Sequence, residues 1–438
     1  MFLRSDRWRE ALRQCELARE GLASPECCGL FALATFRAGL PDVARHWADR
    51  GLRDQPDAYW PLVARGILAA LWDHKPALAL DSLRRATGLR PDLPDAWLGI
   101  LLATELDSEQ EQAQRRLHAL PPSSSVFPTW GPALLTSLER PIAFPEGEAF
   151  SQTSSPPLRV TIPLRRDPRG MLWVAAQIDG KRFRLLYDTG GGRHLLLTPT
   201  ALARLRPRYI ASTRLLGLQG FSDATLHQAD RLQLGTLELR ALPIESTQAN
   251  LGGFDGLLGW RTLGDLSQRV DLERLTLTLS TESFPPNSQR VTMPLQIFRN
   301  HLLVALRCAP DGIEPFALWG LIDTGASDDF FSLAIAQRLA HGLPAPRQHR
   351  GMLQSSIGVG HTQRKIDLLS FSRSYTLTTP TRQPLTLYAE GRGASFLDNV
   401  HNPATGFEHG LLLGMDFISR FSSLEIDPLR SQLHLGLR

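Results

Sequence analysis

Leu186-Tyr187-Asp188-Thr189-Gly190 and Leu321-Ile322-Asp323-Thr324-Gly325 lie 135 positions apart, and each ends an apolar run on an aspartate followed by threonine and glycine. Other landmarks repeat around them in the same order. Val160-Thr161-Ile162-Pro163-Leu164 recurs as Val291-Thr292-Met293-Pro294-Leu295, 131 positions later. Gly256-Leu257-Leu258-Gly259 recurs as Gly410-Leu411-Leu412-Leu413-Gly414, and Val270-Asp271-Leu272 and Ile426-Asp427-Pro428 each open a closing strand pair. Short apolar runs with turn residues between them, such as Leu172-Trp173-Val174-Ala175-Ala176-Gln177-Ile178 before Asp179-Gly180, predict strands and hairpins. The second half of the chain is therefore expected to be two copies of one β fold, two lobes facing each other.

Asp-Thr-Gly at a strand end, once per copy, resembles the aspartic proteases. The fuller pattern resembles the retropepsin-like and pepsin-like members, specifically the bacterial retropepsin-like type, over residues 158–438. Leu321-Ile322-Asp323-Thr324-Gly325-Ala326-Ser327 looks like the retroviral motif, in which alanine follows the glycine. Gly414-Met415-Asp416-Phe417-Ile418 looks like the continuation of the element that supports the aspartate loop. The resemblance implies an all-β bilobal acid-protease fold with a cleft between its lobes, and hydrolysis of peptide bonds in an extended peptide. It makes Asp188 and Asp323 the catalytic pair. Thr189 and Thr324 are then expected to lock the two loops through their hydroxyls, Gly190 and Gly325 to permit the sharp turn, and Gly259 and Gly414 to support the loops from behind. Two carboxylates about 3 Å apart cannot both ionise, so they share one proton. One acts as base on a water while the other protonates the carbonyl oxygen. Neither metal nor cofactor is required. Flap hairpins are expected around Gly217 and Gly220 in lobe one and Gly358 and Gly360 in lobe two, where glycines punctuate the strands.

Two departures bear on this reading. Gly191-Gly192 stands where pepsin-type members carry a hydroxyl, which loosens the first loop, and no flap tyrosine of the pepsin type is evident. Asp188 to Gly259 spans 71 positions and Asp323 to Gly414 spans 91, so lobe two carries extra residues, expected near residues 370–403. Asp255 reads as a turn residue, Asp265 and Asp416 as non-catalytic, and Asp271 and Asp427 as a repeated structural pair. Arg193 and His194 read as solvated loop residues.

Residues 1–120 read differently. Leu62, Leu68, Leu71 and Trp72, then Leu78, Leu80 and Leu83, recur at helical spacing. Pro25-Glu26, Pro56-Asp57-Ala58-Tyr59-Trp60 and Pro94-Asp95-Ala96-Trp97 each open an apolar helix, with separations of 31 and 38 residues. These bracket the 34-residue tetratricopeptide period. The run from 79 to 92, which ends Leu89-Arg90-Pro91-Asp92, resembles the end of such a repeat. The expected organisation is a tetratricopeptide-like helical domain at 1–120, a Pro/Ser-rich linker or connector at 121–157 with one possible helical turn at 134–138, lobe one at 158–284 and lobe two at 285–438. The helical domain would recruit a substrate or protein partner through a concave face. With both lobes in one chain, a monomer suffices for the site.

Composition narrows the rest. The 438 residues are 42% hydrophobic and 21% charged, a globular balance. Net charge is +4 with 48 basic residues, all but Lys75, Lys181 and Lys365 being arginine, scattered without a basic block. That disfavours a nucleic-acid surface, and the arginine bias suggests a GC-rich bacterial source. Four cysteines, Cys15, Cys27, Cys28 and Cys308, form neither a disulfide framework nor a zinc spacing; Cys27 and Cys28 read as core on a helix face. No apolar run reaches membrane-spanning length. The charged N-terminus predicts a cytoplasmic chain, or a periplasmic one if an export signal is omitted. The expected activity is a selective processing endopeptidase acting on peptide or protein substrate. The alternative is a catalytically silent peptide-binding module or scaffold using the same cleft.

Overall fold

The computed structural model describes residues 24–103, 107–120, 158–191, 195–217, 220–263, 266–286, 289–298, 301–340, 347–352, 358–359, 365–371, 373–388, 391–394 and 409–438. The expected linker, Cys15, Gly192, Arg193, His194, Asp265 and Gly360 lie outside these residues. The chain divides into a helical unit and a β unit.

The helical unit consists of α1 (Pro25–Arg37), α2 (Pro41–Asp54), α3 (Tyr59–Leu71), α4 (Pro76–Leu89), α5 (Pro94–Ala103) and α6 (Asp107–Ala119). Proline occupies the first turn of α1, α2 and α4, where its missing N–H costs nothing. Ser24 caps α1 by accepting from the Cys27 amide at 3.2 Å. The odd-numbered helices begin at residues 25, 59 and 94, spacings of 34 and 35, more regular than the Pro-Asp echo suggested. Pro56 lies in the turn before α3 rather than at its start. Glu26 supplies the missing cap: its carboxylate oxygens accept from the Tyr59 and Trp60 amides at 3.0 and 2.9 Å. A negative charge there also answers the positive end of the α3 dipole. Leu83 of α4 fills the space left by Gly66 of α3 and Gly99 of α5, where an added Cβ would overlap its side chain. Of the leucines read as one apolar stripe, Leu83 is buried, whereas Leu78 and Leu80 are half-buried; Ala79, Ser82 and Ala86 complete the inward face. Cys28 is buried and Cys27 exposed, which corrects the expectation that both are core; adjacent helical residues point about 100° apart. No helix among the described residues is long and apolar enough to cross a membrane.

The β unit begins with β1 (Arg159–Arg166), β2 (Leu172–Ile178), β3 (Lys181–Asp188), β4 (Leu195–Leu197), α7 (Pro199–Leu202), β5 (Arg208–Gly217), β6 (Gly220–Leu234), β7 (Leu237–Thr247), β8 (Ala249–Asn250), β9 (Gly256–Gly259), β10 (Ser267–Asp271) and β11 (Thr276–Ser280). It continues with β12 (Arg290–Phe298), β13 (His301–Pro310), β14 (Phe316–Ile322), β15 (Phe330–Ser332), α8 (Leu333–Ala340), β16 (Arg347–Met352), β17 (Gly358–Val359) and β18 (Lys365–Phe371). Last come β19 (Tyr375–Thr378), β20 (Pro384–Tyr388), β21 (Gly391–Ala394), β22 (Leu411–Leu413), α9 (Met415–Ile418), β23 (Ser423–Asp427) and β24 (Gln432–Gly436).

The strand pairings repeat between the two halves. β3 pairs parallel with β9, and β14 pairs parallel with β22. β4 lies antiparallel to β9 and parallel to β7, as β15 does to β22 and β21. Asp179 and Gly180 form the two-residue β2–β3 turn at φ 47° and 78°, the left-handed geometry an Asp-Gly hairpin requires. In β1, Val160, Ile162 and Leu164 point inward while the residues between them are exposed, matching a half-buried strand. β1 pairs with β11 through Pro163 and with β2 from Leu164, so the proline sits where the strand changes partners and needs no donor. β12 does the same at Pro294 and Leu295. Strands β1, β11, β10, β23, β24 and β12 join side by side into an antiparallel sheet to which each half gives three strands. One apolar core runs from Val160 to Leu435. The second half's added length is spread out: α8 has eight residues where α7 has four, and part of the stretch expected to be surplus forms β19, β20 and β21.

Candidate active site

β3 and β14 carry Asp188 and Asp323 to adjoining turns, each braced by a parallel strand behind it. Asp188 pairs in register with Gly259, and the Asp323 amide donates to Leu413 O at 3.0 Å. The Gly190 amide donates to Asp188 Oδ1 at 2.9 Å and the Gly325 amide to Asp323 Oδ1 at 2.8 Å, so each turn holds its own carboxylate.

The threonines join the turns reciprocally. Thr189 Oγ1 donates to Ile322 O at 2.9 Å and accepts from the Thr324 amide at 2.9 Å. Thr324 Oγ1 donates to Tyr187 O at 2.9 Å and accepts from the Thr189 amide at 3.0 Å. Both side chains are fully buried, so every donor and acceptor at the crossing is used where an unpaired one would be costly. A hydroxyl on a short side chain meets this need, since it must donate and accept within one turn.

Glycine is needed for close approach. A Cβ on Gly190 would stand 2.6 Å from both Asp323 carboxylate oxygens, and one on Gly325 would overlap the Asp188 carboxyl. The two carboxyls are half-buried and interact directly. Burial, the Asp323 charge and the hydrogen bond between them raise Asp188 well above the ordinary carboxylate range. Burial also raises Asp323, but hydrogen bonds from Asp188 and from the Gly325, Gly190 and Ala326 amides stabilise its charged form. Both carboxyls are thus raised, and the two titrate as one coupled pair that holds a proton between them above the ordinary carboxylate range.

Gly414 lies against the Asp323 loop, where a Cβ would stand 2.8 Å from Ala326 O, and its amide donates to Asp329 Oδ1 at 2.8 Å. The Met415 and Asp416 amides donate to Ala326 O and Ser327 O at 2.8 and 3.0 Å. Gly191 is also tight: a Cβ there would come within 3.1 Å of the Asp188 carboxyl carbon. Gly217 and Gly220 face each other at the end of the β5–β6 hairpin. Gly358 lies in β17, between the hairpin strands β16 and β18, and pairs with Asn250 of β8 in the first half.

Several bracing groups escape a motif reading. Asp255 is more than a turn residue: its carboxylate accepts from the Arg184 amide at 2.8 Å and from Arg204 Nη1 at 2.7 Å, fixing β3 to the start of β9. Tyr187 Oη donates to Gln268 Oε1 at 2.8 Å, and Gln268 Nε2 donates to Trp260 O at 2.9 Å, a fully buried chain behind Asp188. Only the adjacency of Tyr187 to the motif could have hinted at this. Asp271 and Asp427 share a turn role, each Oδ1 accepting from the backbone three residues on at 2.8 and 3.1 Å.

Residues 174–262 match the family model described as aspartyl protease. The match supports a protease function in general and covers the first aspartate turn through the segment after β9. No curated protein matches the chain.

Proposed function

We propose that residues 158–438 are an aspartic endopeptidase of the bilobal pepsin/retropepsin type, with lobes at 158–284 and 285–438, and that Asp188 and Asp323 are its catalytic pair. The observation that carries this reading is the direct interaction of two carboxyls held by reciprocal Thr189–Thr324 hydrogen bonds. The aspartyl protease match over the first of the two turns supports it.

In this mechanism Asp323, as carboxylate, takes a proton from a water as that water attacks the scissile carbonyl carbon. Asp188 donates its proton to the carbonyl oxygen, and a tetrahedral diol results. Its collapse breaks the C–N bond as the amine takes a proton from Asp323, and the second diol proton returns to Asp188. The turn amides hold both carboxyls in place, so little reorganisation is needed during the reaction. Extended peptide would lie across the pair under the β5–β6 and β16–β18 hairpins.

The helices at 25–119 act, in the same proposal, as a tetratricopeptide-like domain that recruits a substrate or partner, so that the enzyme processes selected proteins. Support comes from helix pairs recurring at 34 and 35 residues, near the tetratricopeptide period.

A peptide-library digest tests the reading. Wild type cleaves, and Asp188→Asn and Asp323→Asn each lower kcat at least about a thousandfold with little change in melting temperature measured in acid. Retained cleavage in both variants rejects the pair; a folded wild type that binds peptides without cutting them favours the silent binding module.

A further inference from the structure

The two aspartate turns are built alike, but what stands behind them differs. In the first half Tyr187 of β3 and Gln268 of β10 meet through a hydrogen bond of 2.8 Å, and both side chains are fully buried. In the second half Ile322 of β14 takes the place of Tyr187, directly before the aspartate. Leu424 of β23 takes the place of Gln268, since these two stand two residues before Ile426 and Val270. Ile322 and Leu424 are fully buried as well. A polar pair in one half answers an apolar pair in the other.

Stability does not account for the exchange. A buried hydroxyl–amide pair adds little over apolar groups of similar shape, and the second half fills the same place with apolar groups. What a buried hydrogen-bond chain supplies is a fixed position. Trp260 O can only accept, so it orients the Gln268 amide: Nε2 donates to it at 2.9 Å and Oε1 turns to Tyr187. Tyr187 must then be the donor, and burial raises its phenol above the ordinary range, so it keeps the proton it donates.

The residue pinned in this way occupies a junction. Tyr187 O accepts from Thr324 Oγ1 at 2.9 Å, one arm of the crossing between the turns, and Asp188 follows it in the chain. Gln268 lies in the sheet shared by the two halves, paired with Ile426 of β23. The Tyr187 ring therefore ties the end of β3 to that sheet. The first turn has the greater need of a tie. Gly191 follows Gly190 there, whereas Ala326 follows Gly325 in the second turn, and glycine leaves the backbone freer. Restraint missing after Asp188 is supplied before it.

We infer that Tyr187 is a positioning residue: through Gln268 it fixes the end of β3 and so sets the Asp188 carboxyl against the Asp323 turn. The inference rests on the reading of these aspartates as the catalytic pair.

The test uses the full-length protein and compares Tyr187→Phe with Tyr187→Phe/Gln268→Leu, which removes both polar partners. Tyr187→Phe lowers kcat on a library peptide at least about tenfold with KM within about twofold, as a small displacement of a reacting group does. The double variant melts closer to wild type than Tyr187→Phe does, because no buried side-chain acceptor is stranded, yet its kcat stays as low. Infrared titration of protein carrying isotope-labelled aspartate, with Asp188→Asn to assign the band, reads the pair without any substrate. Burial and the Asp323 charge raise Asp188, and the second weakens as the carboxyls separate. In both variants the Asp188 midpoint is therefore expected to fall by at least about half a pH unit. An unchanged kcat in Tyr187→Phe, kcat recovered together with melting temperature in the double variant, or an unmoved Asp188 midpoint would each overturn the inference. A wild type that cleaves no peptide, with an Asp188 midpoint that still falls in both variants, rejects the peptidase reading and retains the positioning role.

Discussion

Asp188 and Asp323 have the same local sequence, yet their surroundings separate them. Asp188 is raised by burial, the neighbouring charge and its hydrogen bond to Asp323; burial raises Asp323 as well, against amide donors from both turns that favour its charged form. The consequence for stability has a definite sign. A carboxyl whose folded pKa lies above its unfolded value binds more protons in the native state, so its contribution is full below the unfolded value, near pH 4, and is lost as pH rises through the folded value. Asp188→Asn removes that loss. Urea unfolding between pH 3 and 8 is expected to show wild type losing stability relative to Asp188→Asn as pH increases, with the two curves converging in acid. Parallel curves would mean that Asp188 titrates normally. The motif singled out these two residues because it occurs twice; it could not show which amides donate to each carboxyl, since those come from both turns.

Among the elements, the strand behind each aspartate matters as much as the strand that carries it. β9 is clamped at its start by Asp255, which ties it to β3 through the Arg184 amide and to the region after α7 through Arg204. Asp255→Ala removes one solvent-exposed amide bond and one half-exposed ion pair. It is expected to cost about 0.5–1.5 kcal/mol, since water can replace the lost acceptor at an exposed amide and a surface ion pair adds little. Chemical denaturation measures the loss, and an Asp255→Asn variant, which keeps an acceptor, should recover part of it. An Asp255→Ala protein as stable as wild type would reduce this residue to the turn role its sequence position suggests. Its importance was hidden because its partners lie 71 and 51 positions away, brought together only by the β3–β9 pairing.

For the molecule as a whole, both aspartate turns belong to one chain, and the six-stranded sheet ties their halves without a second subunit. Specific activity is therefore expected to stay constant on dilution from micromolar to nanomolar protein, unlike that of an enzyme assembling its site from two chains. A fall in activity tracking dissociation of a dimer would contradict this. Deleting residues 1–120 is expected to spare cleavage of short peptides and reduce cleavage of a native target. Equal loss of both would show that the helices maintain the β unit rather than recruit.

Local chemistry was enough to mark the change from helical to strand periodicity, the Asp-Gly turn at 179–180, the duplicated frame and the paired Asp-Thr-Gly turns, because each depends on residues close together in the chain or on a pattern repeated along it. Tertiary structure alone decided that Glu26 caps α3, that Cys27 faces solvent while Cys28 is buried, and that Asp255 clamps two strands. Those outcomes depend on which distant backbone amide or side chain arrives within about 3 Å, and hydrogen bonding and burial act over that distance with no regard to separation along the chain.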